Sequence, residues 1–142
     1  MPPDLYLVDS SAWILALQKD PVVAVKDRIV VLLREARVVT VGIIRLELLA
    51  GTRSRSEYHR LRHRLAALDV IPSDEEAWDQ ASELAFDLRR GGLTVPCTDI
   101  LIAACALRAG ATVVHADRHF DLMAGPVGLK VESFVNMLAG SG

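Results

Sequence analysis

Cysteine is scarce in this chain: Cys97 and Cys105 are the only two among 142 residues. They lie eight apart in one apolar stretch, which is neither a CxxC pair nor a zinc-ligand spacing. They read as two buried thiols of a reducing compartment, so a disulfide framework is excluded and a cytoplasmic location is expected. Aromatic residues are also few, at 5% against 51% hydrophobic overall. The core should therefore be aliphatic, and there is enough of it to exclude wholesale disorder. No long uninterrupted apolar run is present, which argues against a membrane span. The N-terminal MPPDLYLVD has no basic segment ahead of an apolar one and does not read as a signal peptide. A large excess of charge of one sign is missing too. The net value is −2, so any nucleic-acid surface must be local rather than global. Neither GxxxxGK[ST] nor GxGxxG occurs, which removes the usual nucleotide-binding loops.

What remains is an alternation of short apolar runs and helical segments, of a length that suits one domain over 1–142. Strands are expected at 4–8, 37–40, 69–72, 112–115 and 129–131. Helices are expected at 10–18, from Pro21 to about Ala36, and at 42–50, 54–67, 74–90, 98–109 and 117–124, with one more turn towards Gly142. Ser73 and Glu76 resemble a capping box for the fifth of these. The segment TDILIAACALRA is apolar on nearly all sides and should be buried. This order predicts an α/β fold, a short and mainly parallel central sheet covered on both faces. In such sheets functional groups gather at the carboxyl ends of the strands.

Three aspartates stand where that edge would be, and a glutamate lies on a neighbouring helix. Asp9 follows the first strand, Asp117 follows TVVH, and Asp99 begins the buried helix. Each aspartate is also placed to cap a helix, where the dipole favours negative charge. Glu47 is different. In VGIIRLELLAG, at about 100° per residue, it shares an arc with Ile43, Ile44, Ala50 and Gly51. A carboxylate in a core costs several kcal/mol, on the order of the price of an unpaired buried charge, unless it is paired. Two readings compete: a salt bridge to an arginine such as Arg118, or convergence with the three aspartates. Four converging carboxylates would raise one another's pKa unless cations lay between them. An all-oxygen site of this kind suits Mg²⁺ or Mn²⁺ and disfavours zinc.

Four segments in order, LYLVDSSAWI, RLELLAG, TDILIAACAL and VVHADRHFDLMA, give the chain a resemblance to PIN domains, specifically the VapC-type toxin ribonucleases of toxin–antitoxin pairs. It runs from Leu5 to about Phe134. The resemblance implies a three-layer α/β/α fold and a Mg²⁺-dependent endoribonuclease. Asp9, Glu47, Asp99 and Asp117 match the family's four acids by position. Asp9 and Asp99 are expected to bind metal directly, with Glu47 and Asp117 completing the site directly or through water. Ser11 falls where the family often has a supporting hydroxyl. His115 stands where many relatives carry threonine or serine. It and His119 are expected to be a strand histidine and an exposed helix histidine rather than ligands. Water would attack the phosphodiester, leaving a 5′-phosphate and a 3′-hydroxyl. The basic stretch RSRSEYHRLRHR offers Arg53, Arg55, Arg60, Arg62 and Arg64 to RNA phosphates, or else is simply a solvated face. The resemblance further implies a homodimer and a VapB-type antitoxin laid over an apolar groove, with Trp13, Leu46, Leu48 and Leu49 as candidate contacts. A catalytically silent member that only binds RNA or a partner is the alternative. A receiver domain is disfavoured, because it would need two adjacent acids after the first strand and an acid ending the middle strand.

Overall fold

The computed structural model describes residues 4–139, so Met1 to Pro3 and the tail beyond Ala139 lie outside the described residues. The elements run β1 (Leu5–Val8), α1 (Ser10–Leu17), α2 (Val23–Glu35), β2 (Arg37–Thr40), α3 (Gly42–Ala50), α4 (Arg55–Leu65), β3 (Asp69–Val70), α5 (Glu75–Arg90), α6 (Cys97–Ala109), β4 (Thr112–His115), α7 (Arg118–Val127), β5 (Val131–Ser133) and α8 (Val135–Ala139). The five strands form one parallel sheet in the order β3-β2-β1-β4-β5. Parallel neighbours require long crossovers, and the helices supply them. The fold is the α/β arrangement read from the sequence.

The strand order matters for function. The chain steps outward from β1 through β2 to β3, then returns to place β4 on the other side of β1. The topological switch therefore falls between β1 and β4, where crevices open at the carboxyl ends. The Asp9 N–H continues the β1–β4 ladder by donating to the Val114 carbonyl at 2.9 Å. That bond fixes the first acid at the mouth of the crevice.

The core is aliphatic as expected, with Leu7, Val8, Ile44, Ile102, Val113 and Val114 fully enclosed. From Asp99 to Ala106 every residue of α6 is buried. Its small alanines face a close packing of α6 against α5. Helix α6 ends on Gly110, whose φ of 68° is the left-handed cap a side chain would resist.

Several local expectations are corrected. Cys105 is buried but Cys97 is exposed, because Cys97 opens α6 at the helix start rather than inside it. Asp74, not Ser73, caps α5 by accepting the Ala77 N–H; the Ser73 hydroxyl instead lies 3.7 Å from the Cys105 sulfur. Strand β5 begins two residues later than expected, since Leu129 is buried in the connection from α7. Helix α7 runs on to Val127 through Pro126, and ends at Gly128 with φ 70°. Trp13 and Leu48 belong to the core, Leu49 is half-buried, and only Leu46 of those four is exposed.

Candidate metal centre

Two of the aspartates do cap helices, as their positions suggested. Asp9 caps α1: its Oδ2 accepts the Ser11 N–H at 3.1 Å and the Ser11 hydroxyl at 2.6 Å. Asp117 caps α7: its Oδ1 accepts the His119 N–H at 2.9 Å. Capping and convergence are not alternatives here, because both helices start at the carboxyl edge of the sheet. Asp99 is not a cap. Pro96 holds that position, and Asp99 sits in the first turn of α6.

The carboxylates converge. Asp9 is 3% exposed and Asp99 7%. Burial is the main cause raising the Asp9 carboxyl above its ordinary value, and the charge of Asp117 adds to it. Asp99 is pushed up to about 8, first by burial, then by Asp117, Asp9 and Glu47. Glu47 is raised by partial burial and by the charges of Asp9 and Asp117. Burial also pushes Asp117 up, but the His119 N–H, the hydrogen bond shared with Asp99 and the His119 ring outweigh it, and Asp117 ends below the usual range. Asp99 and Asp117 therefore titrate as a pair that shares a proton, with Asp99 pushed up and Asp117 held down.

Glu47 departs from its expected setting. It is exposed rather than enclosed in the core, because the arc it shares with Ile44 opens onto the crevice beside α1. Arg118 is exposed as well and makes no ion pair with it among the described residues. The partner of Glu47 is the Ser10 hydroxyl, which donates to Oε1 over 3.4 Å. Ser10 was missed in the sequence. Its adjacency to Asp9 was the available signal.

His119 is not the exposed helix histidine that its position suggests. It is half-buried, with Nδ1 2.8 Å from Asp117 Oδ1 and 3.4 Å from Asp99 Oδ2. One donor atom each from Asp99, Asp117 and His119 lies within 4.8 Å of the others. The spacing Asp117-x-His119 at a helix start could have revealed it, since a cap residue and the residue two on share that end of the helix. The group that could hold a cation here therefore includes an imidazole as well as carboxylates.

The arrangement fits a cation on its own chemistry. Asp9 Oδ1 is buried with no hydrogen-bond partner, which is costly for a carboxylate oxygen that nothing else satisfies. Together with three mutually repelling acids, it is a donor set short of positive charge. Hard divalent ions take such oxygens, and an imidazole is compatible with several of them.

Two groups support the acids from behind. The Ser11 hydroxyl donates to Asp9 and accepts the Ala116 N–H at 2.9 Å, tying α1 to the loop that carries Asp117. His115 is fully buried against Phe120, and its Nδ1 accepts the Asp117 N–H at 3.1 Å. That bond places the proton on Nε2, which lies 3.2 Å from Asp121 Oδ1 but outside hydrogen-bond geometry. Burial lowers the His115 pKa, with the Asp121, Asp9 and Asp117 charges acting against it.

The five arginines do not form one surface, although all are exposed. Arg53 and Arg55 flank a concavity with Tyr58 at the start of α4. Arg60 and Arg64, one turn apart, share another with Leu17 and Glu57. Arg62 points elsewhere, towards α3.

The profile of the PIN domain family matches residues 6–126. The chain belongs to the PIN-domain family. Ribonuclease VapC11 of Mycobacterium tuberculosis is 33% identical over 135 residues, covering 92% of this chain and 99% of that one. Ribonuclease VapC18 of the same species is 30% identical, covering 92% and 96%. Among solved structures, this PIN domain superposes on VapBC2 from Rickettsia felis bound to a promoter DNA fragment with a TM-score of 0.76, at 20% identity over 92% of this chain and 98% of that one. VapBC-1 from nontypeable Haemophilus influenzae gives 0.74 at 20% identity, again over 92% and 98%. At such identities the structures speak for the PIN fold, and the VapC relatives for the branch of the family.

Proposed function

We propose that this PIN domain is a Mg²⁺- or Mn²⁺-dependent endoribonuclease of the VapC type, acting in the cytoplasm as the toxin of a toxin–antitoxin pair. The observation that carries the reading is the cluster itself: Asp9, Asp99, Asp117 and Glu47 raise or share one another's protons around a buried carboxylate oxygen with no partner. Asp9, Asp99 and Asp117 would hold the cation, with Glu47 and His119 at its border. A divalent ion bound there supplies Lewis acidity and lowers the pKa of water for in-line attack on a phosphodiester. Ser11 keeps the Asp9 carboxylate oriented. His119 holds Asp117 ionised in the absence of metal. Glu47, exposed on the crevice wall, would accept a proton from an attacking water. Hydrolysis by water leaves a 5′-phosphate and a 3′-hydroxyl.

The partners of this reading are an RNA substrate, a second copy of the chain and a VapB-type antitoxin. Exposed Ile14 and Leu17 on α1 and Leu46 on α3 supply apolar surface for a protein partner. Helices α1 and α3 pack on one another, so these residues lie on neighbouring elements. The resemblance to VapC ribonucleases supports RNA as the substrate.

The test is a Mn²⁺ titration followed by EPR on the chain freed of any partner, against Asp9→Asn and Asp99→Asn. Saturable binding that both variants weaken at least tenfold, together with loss of RNA cleavage in both, is expected. Wild-type turnover in either variant would refute the assignment.

A further inference from the structure

Helix α3 presents Glu47 to the carboxylates and, two residues earlier and roughly 200° around the helix, Arg45 to the opposite side. There Arg45 meets His59, Arg62 and His63 of α4 across an open concavity of about 350 Å³, lined also by Ala66. The three α4 residues are spaced i, i+3 and i+4, so they share one face. Four basic side chains line the space and no acidic one does.

Some arginines of the described residues are paired with acids, whereas Arg53, Arg55, Arg60 and Arg64 line concavities without an ion pair. Arg28 pairs with Glu132 at 2.8 Å, Arg37 with Asp69 at 2.9 Å, and Arg108 with Asp74 and Glu76 at 3.3 and 3.0 Å. Arg45 and Arg62 make no ion pair among the described residues, and the Arg45 Nε is buried without a hydrogen-bond partner. The dipole at the end of α4 accounts for Arg62 and His63, which stand in its last turn. It does not account for Arg45, in the middle of α3, or for His59. A chain with net charge −2 has many acids available, yet none is set against this group.

We infer that the α3–α4 concavity is an oxyanion site that takes a phosphate group. Two guanidinium forks match the geometry of phosphate oxygens bidentately, and the imidazoles add N–H donors around them. The volume exceeds one phosphate and admits the sugar or base attached to it. The site lies on the far side of α3 from the carboxylates and does not rest on the nuclease reading. The donors are the same for a free phosphate and for a phosphodiester of a nucleic-acid strand.

The experiment is ¹⁵N NMR of the arginine Nε–H signals, on the full chain freed of any partner, in EDTA and at constant ionic strength set with chloride. EDTA keeps metal, and hence phosphate, away from the carboxylates. Inorganic phosphate is titrated first and a single-stranded RNA pentamer without terminal phosphates second. Saturable shifts of the Arg45 and Arg62 signals are expected, at least tenfold weaker for the remaining arginine in Arg45→Gln and in Arg62→Gln. Arg62 is on the exposed face of α4, so its variant tests the site even if Arg45→Gln folds poorly. Shifts with phosphate support a site open to free phosphate; shifts with the pentamer alone support one that reads a strand. No shift with either probe, or unchanged affinity in Arg62→Gln, would overturn the inference.

Discussion

Replacing Asp99 by asparagine should make the metal-free protein more stable, and more so as pH rises. Asp99 is 7% exposed and its carboxyl is pushed up to about 8 by burial and by Asp117. An unfolded aspartate titrates near 3.9. The folded chain therefore holds a proton that the unfolded chain releases between those two values. The sign follows: the contribution is fully present below about pH 4 and is lost as pH rises through about 8. At about 1.36 kcal/mol per unit, the ceiling on that loss is about 5 kcal/mol at pH 8 and about 1–2 kcal/mol at pH 5. Asp117 moves in the opposite direction and shares the proton, so roughly half the ceiling is expected, about 2–3 kcal/mol at pH 8. Asparagine is nearly isosteric, and its amide can donate to Asp117 as the protonated carboxyl does. The assay is urea unfolding of wild type and Asp99→Asn in EDTA at pH 5 and pH 8. Comparing the two chains at each pH cancels the opposite trend from His115, whose lowered pKa withdraws stability as pH falls below about 6.5. A variant equal to wild type at pH 8, or less stable, would refute the claim that these carboxylates crowd one another. Millimolar Mg²⁺ should reverse the order by stabilising only the wild type.

Two other substitutions test the supporting groups. Ser11→Ala removes the donor to Asp9 and orphans the Ala116 N–H; it should cost about 1–3 kcal/mol, a fall of roughly 3–10 °C in Tm by calorimetry, and weaken Mn²⁺ binding. His115→Leu takes away the acceptor for the Asp117 N–H, so Mn²⁺ affinity should fall severalfold by EPR. His115→Asn should restore part of it by offering an oxygen near the same place, and equal affinities in the two variants would argue against a positioning role for the ring.

The parallel sheet, the aliphatic core and the order of the four acids were legible because each rests on local periodicity. Apolar runs of four residues followed by helical spacing require crossovers, and crossovers put Asp9 and Asp117 at one sheet edge. Glu47 stood out because a carboxylate interrupts an apolar arc. Its surroundings did not, because whether that arc faces a core or a crevice depends on how α3 leans against α1. The same holds for Cys97, whose exposure follows from where α6 begins, and for Ser73, displaced from its cap by the neighbouring Asp74. His119 joined the acids only once α7 and α6 were brought together, since nothing local says that residues 99 and 119 meet. The arginines of α4 looked like one basic stretch, and the helix distributed them over three surfaces. One of those faces found Arg45, 17 positions before Arg62 in the sequence. The sequence by itself determined which elements form and which acids they carry, because those depend on neighbours within a few residues. Tertiary structure decided which charges share a space, because repulsion, burial and unpaired donors exist only between elements that packing has brought together.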